Sequence, residues 1–243
     1  MRDGIALVQM AKPPVNAIDL PFARDVDGAF VRLEAEPEVR AVLLAGLDGC
    51  FSAGFDLKAL PGYGPDEQKE ILLALGRMLL RLYGLPRPVV AAVQGHAIAG
   101  GLIVALACDY RVGGDGEYRL GLTEVAVGVP FPIAPLELAR AELRPDVARR
   151  LVLTARTHGP REALEWGILD ELRPSREVLT RAIDVAGELG ALPPRTYARS
   201  KRLLRAPALS LMEEAVDRQM DPALSDWLTP EAAPAAAKVL DRD

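Results

Sequence analysis

Cysteine is nearly absent from this chain of 243 residues: Cys50 and Cys108 are the whole complement, and each lies inside an apolar stretch. Two thiols so placed give neither a disulfide framework nor the paired spacing of a zinc site, so buried thiols in a reducing compartment are expected. Histidine is equally scarce, with only His96 and His158, and this too argues against a metal centre. His96 stands beside a glycine block, where it either lines a pocket or is a packed or solvent-edge residue. His158 is followed by Gly159-Pro160-Arg161-Glu162 and fits the turn before a helix. Excess positive charge is also missing. The formal net charge is −5, which leaves no footprint for nucleic acid. Arginines cluster over 140–150 and 195–205, but glutamates or apolar residues interleave most of them, so solvated helix faces are expected there.

No long uninterrupted apolar run exists. The longest, Val89 to Cys108, is broken by Gln94, Gly95, His96 and a glycine pair, and reads as a strand plus a core helix instead of a membrane span. Charged residues and prolines interrupt the first residues early, which argues against a secretion segment. A cytoplasmic protein with no membrane or nucleic-acid partner is the expectation. The chain contains no G-x-S-x-G elbow, no G-x-x-x-x-G-K-[ST] loop and no G-x-G-x-x-G fingerprint, which disfavours nucleotide-driven and nicotinamide chemistry. It has no internal sequence repeat and no low-complexity linker.

What is present is an alternation of strand and helix signals followed by helices alone. Strand patterns fall at 5–10, 39–45 and 89–93, with shorter ones at 111–112, 118–120 and 168–172. Helical spacing predicts helices near 21–36, 66–82, 135–143, 145–153 and 161–167, then 177–189, 197–204 and 209–219. The stretch 47–54 reads as a glycine-containing loop, and the Ala-rich tail from Ala232 to Ala237 as a helix cap or frayed end. The pattern implies an α/β core, 1–173, with a helical C-terminal region, 174–243.

Three segments hold candidate chemistry. In His96-Ala97-Ile98-Ala99-Gly100-Gly101-Leu102-Ile103 two glycines sit where an extended run becomes a helix. Glycine lets a ligand approach a backbone N–H, and an N–H at a helix start lacks an intrahelical partner. Such a group can hold an oxygen that becomes negative. The other reading is that the pair only lets the helix pack closely on a sheet. A second glycine turn, Cys50 to Lys58, follows a buried strand and offers the same possibility. In Leu120-Gly121-Leu122-Thr123-Glu124-Val125-Ala126-Val127-Gly128 a single carboxylate interrupts an apolar run. Burial would raise its pKa toward neutrality and suit it to base catalysis, whereas a solvent-facing glutamate would explain it without function.

Taken in order, Phe51-Ser52-Ala53-Gly54-Phe55-Asp56-Leu57, the glycine block ending in Cys108-Asp109, and Leu122-Thr123-Glu124 resemble the crotonase, or enoyl-CoA hydratase/isomerase, family. The resemblance runs from Ile5 through Leu172. It implies a spiral of ββα units with a helical C-terminal region that assembles homotrimers, often paired into hexamers. It implies an acyl-CoA thioester as the substrate, with coenzyme A part of that substrate and no separate cofactor or metal. By the same resemblance the Phe55 and Gly100 N–H groups form an oxyanion hole. Ala53, Gly54, Asp56, Leu57 and Gly101 belong to the substrate-binding turns, and Lys12 to Asn16 to a further CoA-side loop. Hydratases of the family use two glutamates, one three residues past the oxyanion glycine. Here that position is Ile103, and only the second carboxylate, Glu124, remains. The Gly-Leu-Thr-Glu segment looks especially like that of Δ3,Δ2-enoyl-CoA isomerases, which work with one. The resemblance therefore favours an isomerase over a hydratase using Glu124 alone, and over a non-catalytic acyl-CoA-binding protein.

Overall fold

The computed structural model describes residues 3–59, 62–228, 232 and 234–235. Of the Ala-rich tail from Ala232 to Ala237, residues 233, 236 and 237 fall outside them. Two all-parallel sheets organise the core. The larger is ordered β1 (Ile5–Gln9), β2 (Ala41–Ala45), β4 (Val89–Val93), β6 (Tyr110–Gly114), β8 (Glu171–Arg173). The smaller is ordered β3 (Gly49–Ser52), β5 (Gly95–Ile98), β7 (Leu120–Gly121). From β2 onward successive strands alternate between the sheets. Thus β2-β3 leads into α2 (Pro65–Gly84), and β4-β5 into α3 (Gly100–Leu106). In turn β6-β7 leads through a short 3₁₀ turn (Glu124–Val127) into α4 (Ile133–Glu142). This is the expected spiral of ββα units, formed without a repeated sequence.

The period of two in a strand explains why the central strands are apolar throughout. In β2, Val42 and Leu44 enter the main core, while Ala41, Leu43 and Ala45 meet Val178, Ala182, Val185 and Ala186 of α7 (Val178–Gly190). In β4, Val89, Ala91 and Val93 face the main core and Val90 and Ala92 the α7 side. The opposite face is covered by α1 (Leu20–Ala35) and α2, whose Ile71, Leu75, Met78, Leu79 and Leu82 are all buried, as their spacing predicts. Both cysteines are buried thiols.

Three expectations are corrected. The stretch 47–54 is not all loop, because Gly49–Ser52 pairs with β5 as strand β3. The expected helices 197–204 and 209–219 are one helix, α8 (Pro194–Asp217), which runs through Pro207. Its buried anchors lie on both sides of the proline, Lys201 and Arg205 before it and Ala208 and Met212 after, so packing outweighs the lost backbone bond. The cationic stretch 195–205 is not simply a solvated face. Lys201 and Arg205 are 8% and 5% exposed and hold Asp109 at 2.7 and 3.1 Å. Periodicity alone cannot reveal an internal ion cluster, since its partner lies some ninety residues away.

Candidate active site

The C-terminal ends of the three neighbouring strands β3, β5 and β7 bring the three sequence motifs together. Ligands commonly bind at this end of parallel strands. Ala97 is the hinge of the register, paired with Ser52 on one side and Leu120 on the other. Beyond the strands the chain stays connected, the Ala99 N–H donating to the Gly121 carbonyl at 2.7 Å. On the other side Gly54, with φ +81°, lies so close that a Cβ there would fall 2.8 Å from the Ile98 carbonyl and 3.0 Å from the Gly100 nitrogen. Only glycine fits between these turns.

Peptide planarity then sets the direction of two N–H groups. The Gly54 carbonyl accepts from the Ile18 N–H at 2.7 Å, and Ile18 in turn accepts from Asp56 at 3.1 Å. Because the Gly54–Phe55 peptide is trans and planar, fixing its C=O toward Ile18 points the Phe55 N–H the opposite way. At the second turn Ala99 adopts φ +52°, and its carbonyl accepts from Leu102 and Ile103 at 2.9 and 3.2 Å. The Gly100 N–H of that same peptide points away from the helix. Neither the Phe55 nor the Gly100 N–H has an acceptor among the described residues.

The two open readings of the glycine pair divide between its members. A Cβ on Gly101 would fall 2.1 Å from the Ser52 carbonyl, so this glycine is required for helix α3 to approach β3. At Gly100 the nearest atom to such a Cβ is the Ile18 Cδ1 at 3.3 Å, and its free N–H is the notable feature. Ile103 is wholly buried in the main apolar core.

Glu124 opens the 3₁₀ turn after β7 and is 8% exposed. Its Oε2 is buried without a hydrogen-bond partner. Burial pushes its pKa up to about 8, and the N–H groups of Thr123 and Glu124 offset only part of that effect. A solvent-facing glutamate is thereby ruled out. No group of His, Cys, Asp or Glu able to hold a metal occurs among the described residues. His96 is exposed, its Nδ1 accepting from the Arg119 N–H at 3.2 Å. His158 lies in the turn before α6 (Pro160–Glu165), with Nδ1 2.9 Å from Glu162. A surface cleft of about 640 Å³ lies at the opposite, N-terminal ends of β2 and β4 and includes none of the predicted site residues.

Sequence reasoning missed Trp227. It is 1% exposed, its ring meets Phe55 edge-on at 4.8 Å, and Ile71, Leu72, Val127 and Val129 complete the cluster. The C-terminal segment that carries it is pinned by Asp221, which accepts from the Ile133 N–H at 2.6 Å. No local pattern signals such a long-range contact.

A family model described as enoyl-CoA hydratase/isomerase matches residues 1–226. A Thermus thermophilus protein named "Putative enoyl-CoA hydratase" is 40% identical over 200 residues, covering 81% of this chain and 78% of its own. Human mitochondrial enoyl-CoA delta isomerase 1 is 31% identical over 209 residues, 85% of this chain and 69% of that protein. Carnitinyl-CoA dehydratase of Escherichia coli K12 is 33% identical over 218 residues, 88% and 82% of the two chains. Among solved structures, human mitochondrial delta3-delta2-enoyl-CoA isomerase superposes with a TM-score of 0.91 at 28% identity, over 99% of this chain and 94% of the other. An enoyl-CoA hydratase from Mycobacterium marinum gives 0.85 at 28% identity, over 94% and 97%.

Proposed function

Because the chain belongs to the enoyl-CoA hydratase/isomerase, or crotonase, family, we propose that it is an enoyl-CoA isomerase moving the double bond of a 3-enoyl-CoA to the 2-position. The observation that carries this reading is a lone buried carboxylate, Glu124, together with fully buried, apolar Ile103 three residues past Gly100.

In this reading the thioester oxygen sits between the Phe55 and Gly100 N–H groups. Glu124 removes a proton from C2, and the electron pair moves through a dienolate onto that oxygen. The same carboxyl returns the proton at C4, so one base completes the reaction and no co-reactant is consumed. Two fixed donors stabilise the dienolate, and losing one such donor typically costs about 3–4 kcal/mol in the transition state. Ala53 to Leu57 and the Gly100-Gly101 turn flank the acyl-CoA, with Lys12 to Asn16 on the CoA side. Apolar Ile103 favours proton transfer over water addition, since a water nucleophile has no second carboxylate to orient it.

Hydration through Glu124 alone is the second reading, favoured by the hydratase and dehydratase names of the relatives at 40% and 33% identity. Incubation with 3-enoyl- and 2-enoyl-CoA substrates of several chain lengths separates the two. Double-bond migration is expected, and its loss in Glu124→Gln by about 10²-fold or more. Efficient hydration without migration would overturn the isomerase reading. CoA-ester binding with no turnover of either substrate would make the chain a binding protein.

A further inference from the structure

We infer that Asn16 and Ser52 are positioning residues that set the direction of the Phe55 N–H, an inference that rests on the oxyanion role proposed above for that group. Neither side chain faces solvent: Asn16 is 0% and Ser52 1% exposed. Their bonds form a clamp between the loop after β1 and the turn after β3. The Asn16 Nδ2 donates to the Met10 carbonyl at 3.1 Å and to the Phe51 carbonyl at 3.0 Å, while its Oδ1 accepts from the Lys12 N–H at 2.7 Å. The Asn16 carbonyl accepts from the Ser52 hydroxyl at 2.8 Å, and that hydroxyl oxygen accepts from the Gly54 N–H at 3.2 Å.

The consequence reaches the site in two covalent steps on each side. Two residues past Asn16 is Ile18, whose N–H holds the Gly54 carbonyl. Two residues past Ser52 is Gly54 itself. The Gly54–Phe55 peptide unit is thus fixed directly from the loop side through Ile18, and the Ser52 hydroxyl fixes the adjoining Ala53–Gly54 unit, so that Gly54 is held on both sides. The Phe55 N–H is the one proposed to meet the thioester oxygen. Asn16 also sits at φ +50°, in the left-handed region that asparagine tolerates better than most residues, so the loop conformation and the clamp are selected by the same side chain. A buried network in which every member is satisfied fixes geometry more sharply than apolar contact does.

A structural role alone would change stability without changing how strongly the thioester is polarised. The test is therefore infrared difference spectroscopy of bound, unreactive butanoyl-CoA labelled with ¹³C at the thioester carbonyl, whose stretch falls as hydrogen bonds to its oxygen strengthen. Wild type is expected to lower the stretch on binding. Ser52→Ala, which deletes only the hydroxyl, is expected to recover at least half of that shift, with kcat for isomerisation down about 10-fold or more and KM changed less than threefold. Asn16→Gly, which keeps the positive φ accessible, is expected to do the same. Ser52→Ala that is folded and retains both the full shift and kcat would overturn the clamp. Wild type that binds the probe with no shift would instead overturn the oxyanion reading and this inference with it.

Discussion

At Glu124 a single side chain links stability and activity to pH. Its folded pKa, about 8, lies above the ordinary carboxylate value of 4.5. Below the ordinary value the group is protonated in both folded and unfolded chains and contributes nothing. As pH rises toward 8 the unfolded chain releases the proton while the folded one keeps it, so stability falls through that window and levels off above it. The full penalty is on the order of a few kcal/mol, the scale set by several pKa units. Glu124→Gln is therefore expected to melt close to wild type at pH 5 and clearly higher at pH 8.5. Equal melting differences at both pH values would contradict the raised pKa. Activity follows the opposite trend, because only the ionised base removes a proton: kcat/KM for isomerisation should rise with pH and bend near 8. This residue was legible because an acid interrupting an apolar run is conspicuous. Asn16 and Ser52 stand in segments the resemblance had already marked, but the bond between them was not legible, nor was Trp227 as a site residue, because in each case the partner lies 36 or more positions away, such as Phe55 for Trp227.

Elements show the same division. Long amphipathic helices such as α2 were readable from spacing, whereas β3 and β5, with four residues each, are too short and glycine-marked to carry a periodic signal. The largest misreading, α8, has its cause in ionic anchoring. Asp109 accepts from the Val89 N–H and Lys201 Nζ, each at 2.7 Å, and lies 3.1 Å from Arg205. Arg205 also donates to the Tyr83 carbonyl at 2.8 Å and stacks on that ring with its guanidinium carbon 3.9 Å from the centroid. The Cys108-Asp109 pair of the sequence motif is thus a joint between the sheet and the C-terminal helix. Burial pushes the Lys201 pKa down, and Asp109 opposes that shift. Removing the anion leaves buried Lys201 without a carboxylate partner and Arg205 with only Glu142, 3.4 Å away. Asp109→Asn is expected to cost about 3–5 kcal/mol in urea unfolding, while Lys201→Met, which leaves Asp109 paired with Arg205, should cost much less. Similar losses in the two variants would show that the network is not organised around Asp109.

On the scale of the whole molecule, strand alternation between two sheets explains how a chain without sequence repeats builds repeated ββα units: each unit needs only one strand end and one turn to reach the site. What one copy leaves uncovered is the outer stripe of α8. Leu203, Leu204 and Leu211 are 66%, 82% and 45% exposed, and the seven- and eight-residue spacings place them along one helical face. We propose that the C-terminal helices assemble this chain into a trimer or a pair of trimers, the arrangement the family resemblance implies. Burying a leucine contributes about 1.5–3 kcal/mol, so three per subunit represent a substantial driving force before the entropy of association is counted. Sedimentation equilibrium should give a mass three or six times that of the 26.1 kDa chain, with a melting temperature that rises with protein concentration. The double substitution Leu204→Glu/Leu211→Glu places charges on that stripe and should yield folded monomers, with far-ultraviolet circular dichroism unchanged. A wild-type monomer, or a double variant that remains a trimer, would remove α8 from the interface.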